Sequence, residues 1–233
     1  MMVLASSDIH VPRFSGQFIE ATQKEVEEAK PQILLLAGDV VNKGDPSALG
    51  DFLDRLSSFY GGPLVACQGN EEYEETFDDV VHATAGKIRW LIDELEIFDL
   101  GGEKLAVFGT KGVLDRPTYW QRTHIKDIWK IRGEQIKTIR EYLEKLRNTK
   151  ADAKIVLSHY SPTKSTMIGE REKMWPEMGY PRFEEELAKG GFDAWVHGHI
   201  HKGTVESVKV GEVQVYNVAF PARKKPVWVV RSD

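Results

Sequence analysis

Histidines crowd together late in this chain, in the run Trp195-Val196-His197-Gly198-His199-Ile200-His201. Residues two apart on extended backbone point the same way, so the spacing predicts that His199 and His201 present two imidazoles to one point. That arrangement suits a metal ion. His197, by the same alternation, faces the other way and takes a structural role. Upstream, four more apolar runs end in residue types that bind metals: Asp8 and His10, then Asp39, Asn70 and His159. Each has a plainer reading when taken singly: Asp8 as a turn-forming cap, Asn70 as the N-cap of an acidic helix, His159 as a hydrogen-bonded, partly buried histidine. Together they are seven ligands, more than one ion needs, which suggests two divalent ions sharing a carboxylate. Two such ions about 3.5–4 Å apart clamp the attacking and leaving oxygens of an in-line displacement at phosphorus.

The elements around these residues explain how they could meet. Met2 to Ser6 predicts a strand and Phe14 to Lys30 a helix, with Phe18, Ile19, Thr22, Val26 and Ala29 at helical spacing. Ile33 to Ala37 is a continuous apolar run of the kind buried on both faces of a parallel sheet. Asp45-Pro46 predicts the start of a second helix, with Leu49, Phe52, Leu53 and Leu56 inward. Leu64 to Gln68 is the third strand, and Glu71 to Glu75 forms an acidic first turn suited to a helix dipole. Gly101-Gly102 between Leu95–Leu100 and Lys104–Phe108 signals a hairpin. A helix over Ile128 to Leu146, a strand at Ile155 to Leu157, a short helix from Phe183 to Lys189 and three late strands complete the pattern. In an open α/β sheet the ligand crevice lies outside the carboxyl ends of the strands, so residues placed just past those ends converge.

Composition narrows the classes. With 233 residues and 41% hydrophobic content the chain is long enough for one large α/β domain spanning 1–233. A net charge of −5 with mixed signs makes nucleic acid a weaker candidate partner than a small molecule. The lone Cys67 excludes an internal disulfide framework and fits the cytoplasm. No apolar run approaches the roughly 20 residues of a membrane helix. His82 and His124 read as surface or packing residues. Ser161 to Pro181, with Arg171, Met167, Met174, Trp175 and Met178, is a long irregular stretch, either a satellite core or a lid over the cluster.

The motifs Asp8-Ile9-His10, Gly38-Asp39, Gly69-Asn70, Ser158-His159 and Gly198-His199-Ile200-His201 together resemble the calcineurin-like metallophosphoesterase superfamily, over nearly the whole chain. The resemblance implies a four-layer α/β/β/α fold, two facing mixed β-sheets flanked by helices. It implies one metal held by Asp8, His10, Asp39 and His201, and a second held by Asp39, Asn70, His159 and His199, with Asp39 bridging. The family usually has histidine directly after Gly-Asn, to stabilise the transition state or protonate the leaving group. Glu71 stands there in this chain.

The expectation is an enzyme that hydrolyses a small phosphodiester through a hydroxide activated between two metals. Asp39, Asn70, Glu71 and His159 are its candidate catalytic residues, and Mn is favoured among Mn, Fe, Co, Ni and Zn. A phosphomonoesterase is the first alternative, and a non-catalytic scaffold of the same fold the second.

Overall fold

The structure, a computed structural model, describes residues 1–231. Its elements run β1 (Met2–Ser6), α1 (Ser15–Ala29), β2 (Ile33–Ala37), α2 (Leu49–Ser57), β3 (Leu64–Cys67), α3 (Phe77–Ala83), β4 (Ile88–Trp90), β5 (Glu94–Asp99), β6 (Lys104–Thr110), α4 (Tyr119–His124), α5 (Ile128–Asn148), β7 (Ala153–Ser158), α6 (Glu184–Lys189), β8 (Ala194–His197), β9 (Ser207–Val210), β10 (Val213–Asn217), α7 (Phe220–Arg223) and β11 (Val227–Arg231). One sheet has the order β11-β1-β2-β3-β4, and the other β5-β6-β7-β8-β10-β9. Each is mixed: antiparallel β11 flanks a parallel set in the first, and antiparallel β5 and β9 flank one in the second.

Alternation along the buried strands builds three apolar layers. Ile33, Leu35 and Ala37 of β2 join Leu105, Val107, Ile155, Leu157 and Val196 in the core between the sheets. Leu34 and Leu36 point the other way, against Phe18 of α1 and Phe52, Leu53 and Leu56 of α2. Ala106, Phe108, Val156 and Trp195 meet Ile139 and Leu143 of α5 and Leu187 of α6. All five side chains of β2 have no exposed surface. At roughly 1.5–3 kcal/mol for each large aliphatic residue, such a strand is held firmly enough to serve as a fixed base for the loop that follows it.

The hairpin forms where its glycines predict, with Gly101 and Gly102 at φ +75° and +96° and Leu100 N–H donating to Glu103 O at 2.8 Å. Two local expectations change. Helix α2 starts at Leu49, because Asp45 accepts from Ser47 N–H at 2.9 Å in a turn of its own and caps no helix. The acidic segment after Asn70 loops before a short 3-10 turn at Glu74–Thr76, so Asn70 caps no helix either. Of the late strands, β9 and β10 join the second sheet, but β11 returns to pair with β1. Short elements at β4, α4 and α7 have no clear periodicity in the sequence.

Among the described residues, no helix is long and apolar enough to cross a membrane.

Candidate metal centre

The seven candidate ligands all sit just beyond strand ends, on loops rather than on strands. Asp8, His10, Asp39 and His199 have φ of +57°, +46°, +51° and +67°. Left-handed backbone is sparsely populated for residues with a Cβ and costs on the order of 1–3 kcal/mol, so this concentration marks a built site. Two glycines permit the close approach of the loops. A methyl at Gly69 would strike the backbone N and Oδ1 of Asp39, and one at Gly198 would lie 2.6 Å from Asp8 Oδ2.

Two clusters result. In one, His201 Nε2 lies 2.7 Å from Asp8 Oδ1, and His10 Nε2 is 3.9 Å from both Asp8 Oδ1 and Asp39 Oδ2. In the other, His159 Nε2 lies 2.9 Å from Asn70 Oδ1, 3.1 Å from His199 Nδ1 and 3.5 Å from Asp39 Oδ2. Asp8, His10 and His201 offer ligand atoms within 4.8 Å of one another, and so do Asp39, His159 and His199. Asp39 Oδ2 faces both groups. The paired reading of His199 and His201 therefore needs correction: the left-handed turn at His199 breaks strand alternation and sends the two rings to different clusters.

The donor set fits a pair of cations. His159 Nδ1 faces Ala37 O at 3.0 Å, which places its proton there and leaves a lone pair on Nε2. His199 Nε2 faces Glu177 O at 3.4 Å, which leaves a lone pair on Nδ1. The two lone pairs lie 3.1 Å apart, and that of His159 also faces Asn70 Oδ1 and Asp39 Oδ2, with no proton to share. Both ring nitrogens of His10 are buried without a hydrogen-bond partner. Orphaned buried acceptors facing carboxylates are what a divalent ion satisfies.

Electrostatics in the metal-free chain point the same way. Burial, with the nearby Glu72 and Asp8 charges, pushes Asp39 well above the usual carboxylate range. Burial alone would raise Asp8, but its hydrogen bond to His201, the His201 charge and the Ser7 hydrogen bond together hold it far below. Burial lowers His10, His159 and His199, keeping their rings neutral and ligand-ready. For His201 burial also acts downward, yet the Asp8 hydrogen bond together with the Asp8 and Glu170 charges outweighs it and raises the ring above its ordinary value.

A fixed support surrounds the ligands. Asp8 Oδ2 accepts from Ser7 Oγ at 2.5 Å and from His199 N–H at 2.9 Å, freeing Oδ1 for the cluster. Asp39 Oδ1 accepts from Glu71 N–H at 2.8 Å, leaving Oδ2 free. His197 is fully buried: Nδ1 donates to Gly198 O at 2.9 Å, and Nε2 accepts from Thr166 Oγ1 at 2.8 Å. Burial lowers its ring to about 4, in keeping with a structural role. His82 is exposed in α3, and exposed His124 stacks on Trp120 with ring centroids 5.0 Å apart.

An open cleft of about 400 Å³ exposes the clusters, and its mouth is lined by Glu71, Thr118, Glu170, Met174, Met178 and Lys202. Part of the 161–181 segment thus borders the cleft. Met167 instead is fully buried, and Trp175 Nε1 donates to Glu170 O at 3.3 Å. A larger open concavity, about 690 Å³ and walled by residues 122–130, includes none of the ligands.

Glu71 lies at the mouth, its Oε2 accepting from Lys43 N–H at 2.7 Å. Glu72, the next residue, turns inward instead. Its side chain is fully buried and accepts from three backbone N–H groups, of Asp39, Val41 and Gly69, at 2.9, 2.9 and 2.6 Å. Burial raises it to about 7. Nothing in the acidic run distinguishes Glu72 from Glu71, Glu74 or Glu75, and Ser7 carries no signal beyond its neighbour.

Facing mixed sheets with two ligand clusters at the strand ends define a metal-dependent phosphoester hydrolase, with two sites able to hold divalent ions. A sequence model of that family matches residues 1–203, and the chain belongs to the calcineurin-like phosphoesterases. Its fold is similar to that of the phosphopantetheinyl hydrolase of Mycobacterium tuberculosis, with TM-score 0.68 and 14% identity over 99% of this chain and 96% of that one. The protein TT1561 of Thermus thermophilus gives TM-score 0.59 and 14% identity over 97% of each chain. A putative 5'-nucleotidase of Staphylococcus aureus gives 0.57 and 14% over 93% of this chain and 48% of that one. No curated protein sequence matches.

Proposed function

We propose that the chain, working as one domain, hydrolyses a small phosphodiester with two divalent ions. Asp8, His10, Asp39 and His201 would hold one ion, and Asp39, Asn70, His159 and His199 the other. The observation that carries this is Asp39 Oδ2, which lies 3.9 Å from His10 Nε2 and 3.5 Å from His159 Nε2 and so faces both clusters at once. A bound pair of divalent ions would supply Lewis-acid polarisation of the phosphoryl oxygens and an acidified water.

The chain's own groups do the positioning. Ser7 and the His199 N–H hold Asp8 by one oxygen, and the Glu71 N–H holds Asp39 by one oxygen, so each presents the other inward. Ala37 O and Glu177 O fix the tautomers of His159 and His199. The Glu71 carboxylate at the mouth repels a dianionic monoester more than a monoanionic diester, which supports the diester reading over the monoester one. The nitrogen and oxygen ligand set suits manganese, our first choice, as well as Fe, Co, Ni or Zn. The single buried thiol, Cys67, supports a cytoplasmic setting.

The test is metal analysis of purified protein together with turnover of bis-nitrophenyl phosphate against nitrophenyl phosphate. Two ions per chain and faster diester turnover are expected. Faster monoester turnover selects the phosphomonoesterase, and two bound ions without turnover select the scaffold.

A further inference from the structure

We propose that Glu72 is a positioning residue that sets the distance between the Asp39 loop and the Asn70 loop, and thereby aims the shared carboxylate. This rests on the metal-centre reading above. The loops leave neighbouring strands, β2 and β3, and each displays backbone N–H groups toward the same buried point. Glu72 fills it: Oε2 accepts from Asp39 N–H and Gly69 N–H, and Oε1 from Val41 N–H. The adjoining Glu71 N–H donates to Asp39 Oδ1. Two consecutive residues therefore hold Asp39 by its backbone and by its side chain.

A carboxylate is the group this point requires. Three buried donors need acceptor lone pairs on both oxygens, and an ionised carboxylate offers only acceptors. A carboxamide of the same size would turn an NH2 toward at least one N–H, leaving a donor unpaired. Asp39 sits at φ +51°, outside any regular ladder, so its aim depends on such external bonds. Glu72 Oε2 spans Asp39 and Gly69, the residue before Asn70, so its loss should loosen the cage of Asp39, Asn70, His159 and His199 first. Asp8, His10 and His201 hang from β1 and β8 and are less exposed to that loss.

The experiment is calorimetric titration of metal-free protein with Mn²⁺, with Co²⁺ absorption as a reading of ligand geometry, on the parent, Glu72→Gln and Glu72→Asp. A control is Glu186→Gln, which removes another buried carboxylate, one bonded to Arg147 and Lys189 and remote from the clusters. Glu72→Gln is expected to weaken the second ion by roughly 10–100-fold, the range for outer-shell partners, and to change the Co²⁺ spectrum. Its kcat should fall more than KM rises, whereas Glu186→Gln should lower Tm without moving metal affinity. If Glu72→Gln does not fold, Glu72→Asp, which keeps the charge one methylene shorter, should weaken the second ion to a lesser degree. Parent-like binding of both ions by whichever variant folds overturns the role of Glu72. A parent that takes up no second ion overturns the metal-centre reading, and this inference with it.

Discussion

His201 Nε2 lies 2.7 Å from Asp8 Oδ1, although 193 positions of sequence separate the two. In the absence of metal this is an ion pair, and it makes stability depend on pH in a definite sense. The Asp8 contribution is present above the ordinary carboxylate value of 3.8 and is lost as pH falls through its depressed value. The His201 contribution is fully present below the ordinary 6.5 and is lost as pH rises through its raised value. In chelator, the Tm difference between the parent and His201→Gln should be largest between those two ordinary values and shrink above them. Mn²⁺ affinity should do the reverse, rising with pH as the ring loses its proton. A Tm difference that stays flat across this range would remove the ion pair from the account.

Asp39→Asn separates the cost of the metal-free site from its use. The folded value of Asp39 is raised, so its charged form destabilises the chelated protein increasingly as pH rises above 3.8. Removing that charge should raise Tm at neutral pH by about 2–4 °C per kcal/mol relieved. The same change should abolish the Tm gain on adding Mn²⁺ and lower turnover by more than the roughly 10–100-fold typical of outer-shell partners. Near-parent turnover with added Mn²⁺ would refute a shared Asp39.

Much of this site could be read from the chain because strand burial and ligand chemistry leave separate traces. Ile33 to Ala37 had to be a core strand, and Asp39, two residues later, had to lie at its carboxyl end. The hairpin at Gly101-Gly102 was equally local. Less legible was whatever depends on backbone torsion or on distant partners. The +67° φ of His199 sends it away from His201, although their spacing suggests one target. Glu72 looks like its acidic neighbours until β2 and β3 bring their N–H groups around it. Likewise β11 carries no mark that it will pair with β1 rather than with its sequence neighbour β10.

Deleting the whole 161–181 segment would be a poor test of specificity, because Glu177 O faces His199 Nε2 and Thr166 bonds the buried His197. Met174 and Met178 border the cleft without bonding a ligand residue. Met174→Ala and Met178→Ala should each shift the ratio of kcat/KM between an alkyl-bearing and a small phosphodiester by up to roughly 10-fold, with metal affinity unchanged. Ratios equal to that of the parent would leave these residues as cover for the loop alone.

Gly198 admits no side chain. A Cβ there would meet Ser7 Oγ and sit 2.6 Å from Asp8 Oδ2, so Gly198→Ala must displace the carboxylate that anchors His201. The β8 strand before it is buried and should stay in place. The expected result is a parent-like circular dichroism spectrum with Mn²⁺ affinity reduced at least roughly 10-fold. Unchanged affinity would mean that the loop yields and Asp8 stays.

Glu71→His tests the source of ester preference. Glu71 lines the cleft beside His10, Asp39 and Asn70, and its carboxylate rests on Lys43 N–H at the mouth. A dianionic monoester carries one more negative charge than a diester, and one such charge about 4 Å from a carboxylate in water costs about 1 kcal/mol. Replacing the carboxylate with imidazole removes that difference, so monoester turnover should rise relative to diester turnover by roughly fivefold. Glu71→Gln separates charge from ring chemistry: it should give the same ratio if repulsion is the cause, whereas a gain with histidine alone would assign the effect to the imidazole. Equal changes for both esters in both variants would show that the preference is set elsewhere in the cleft.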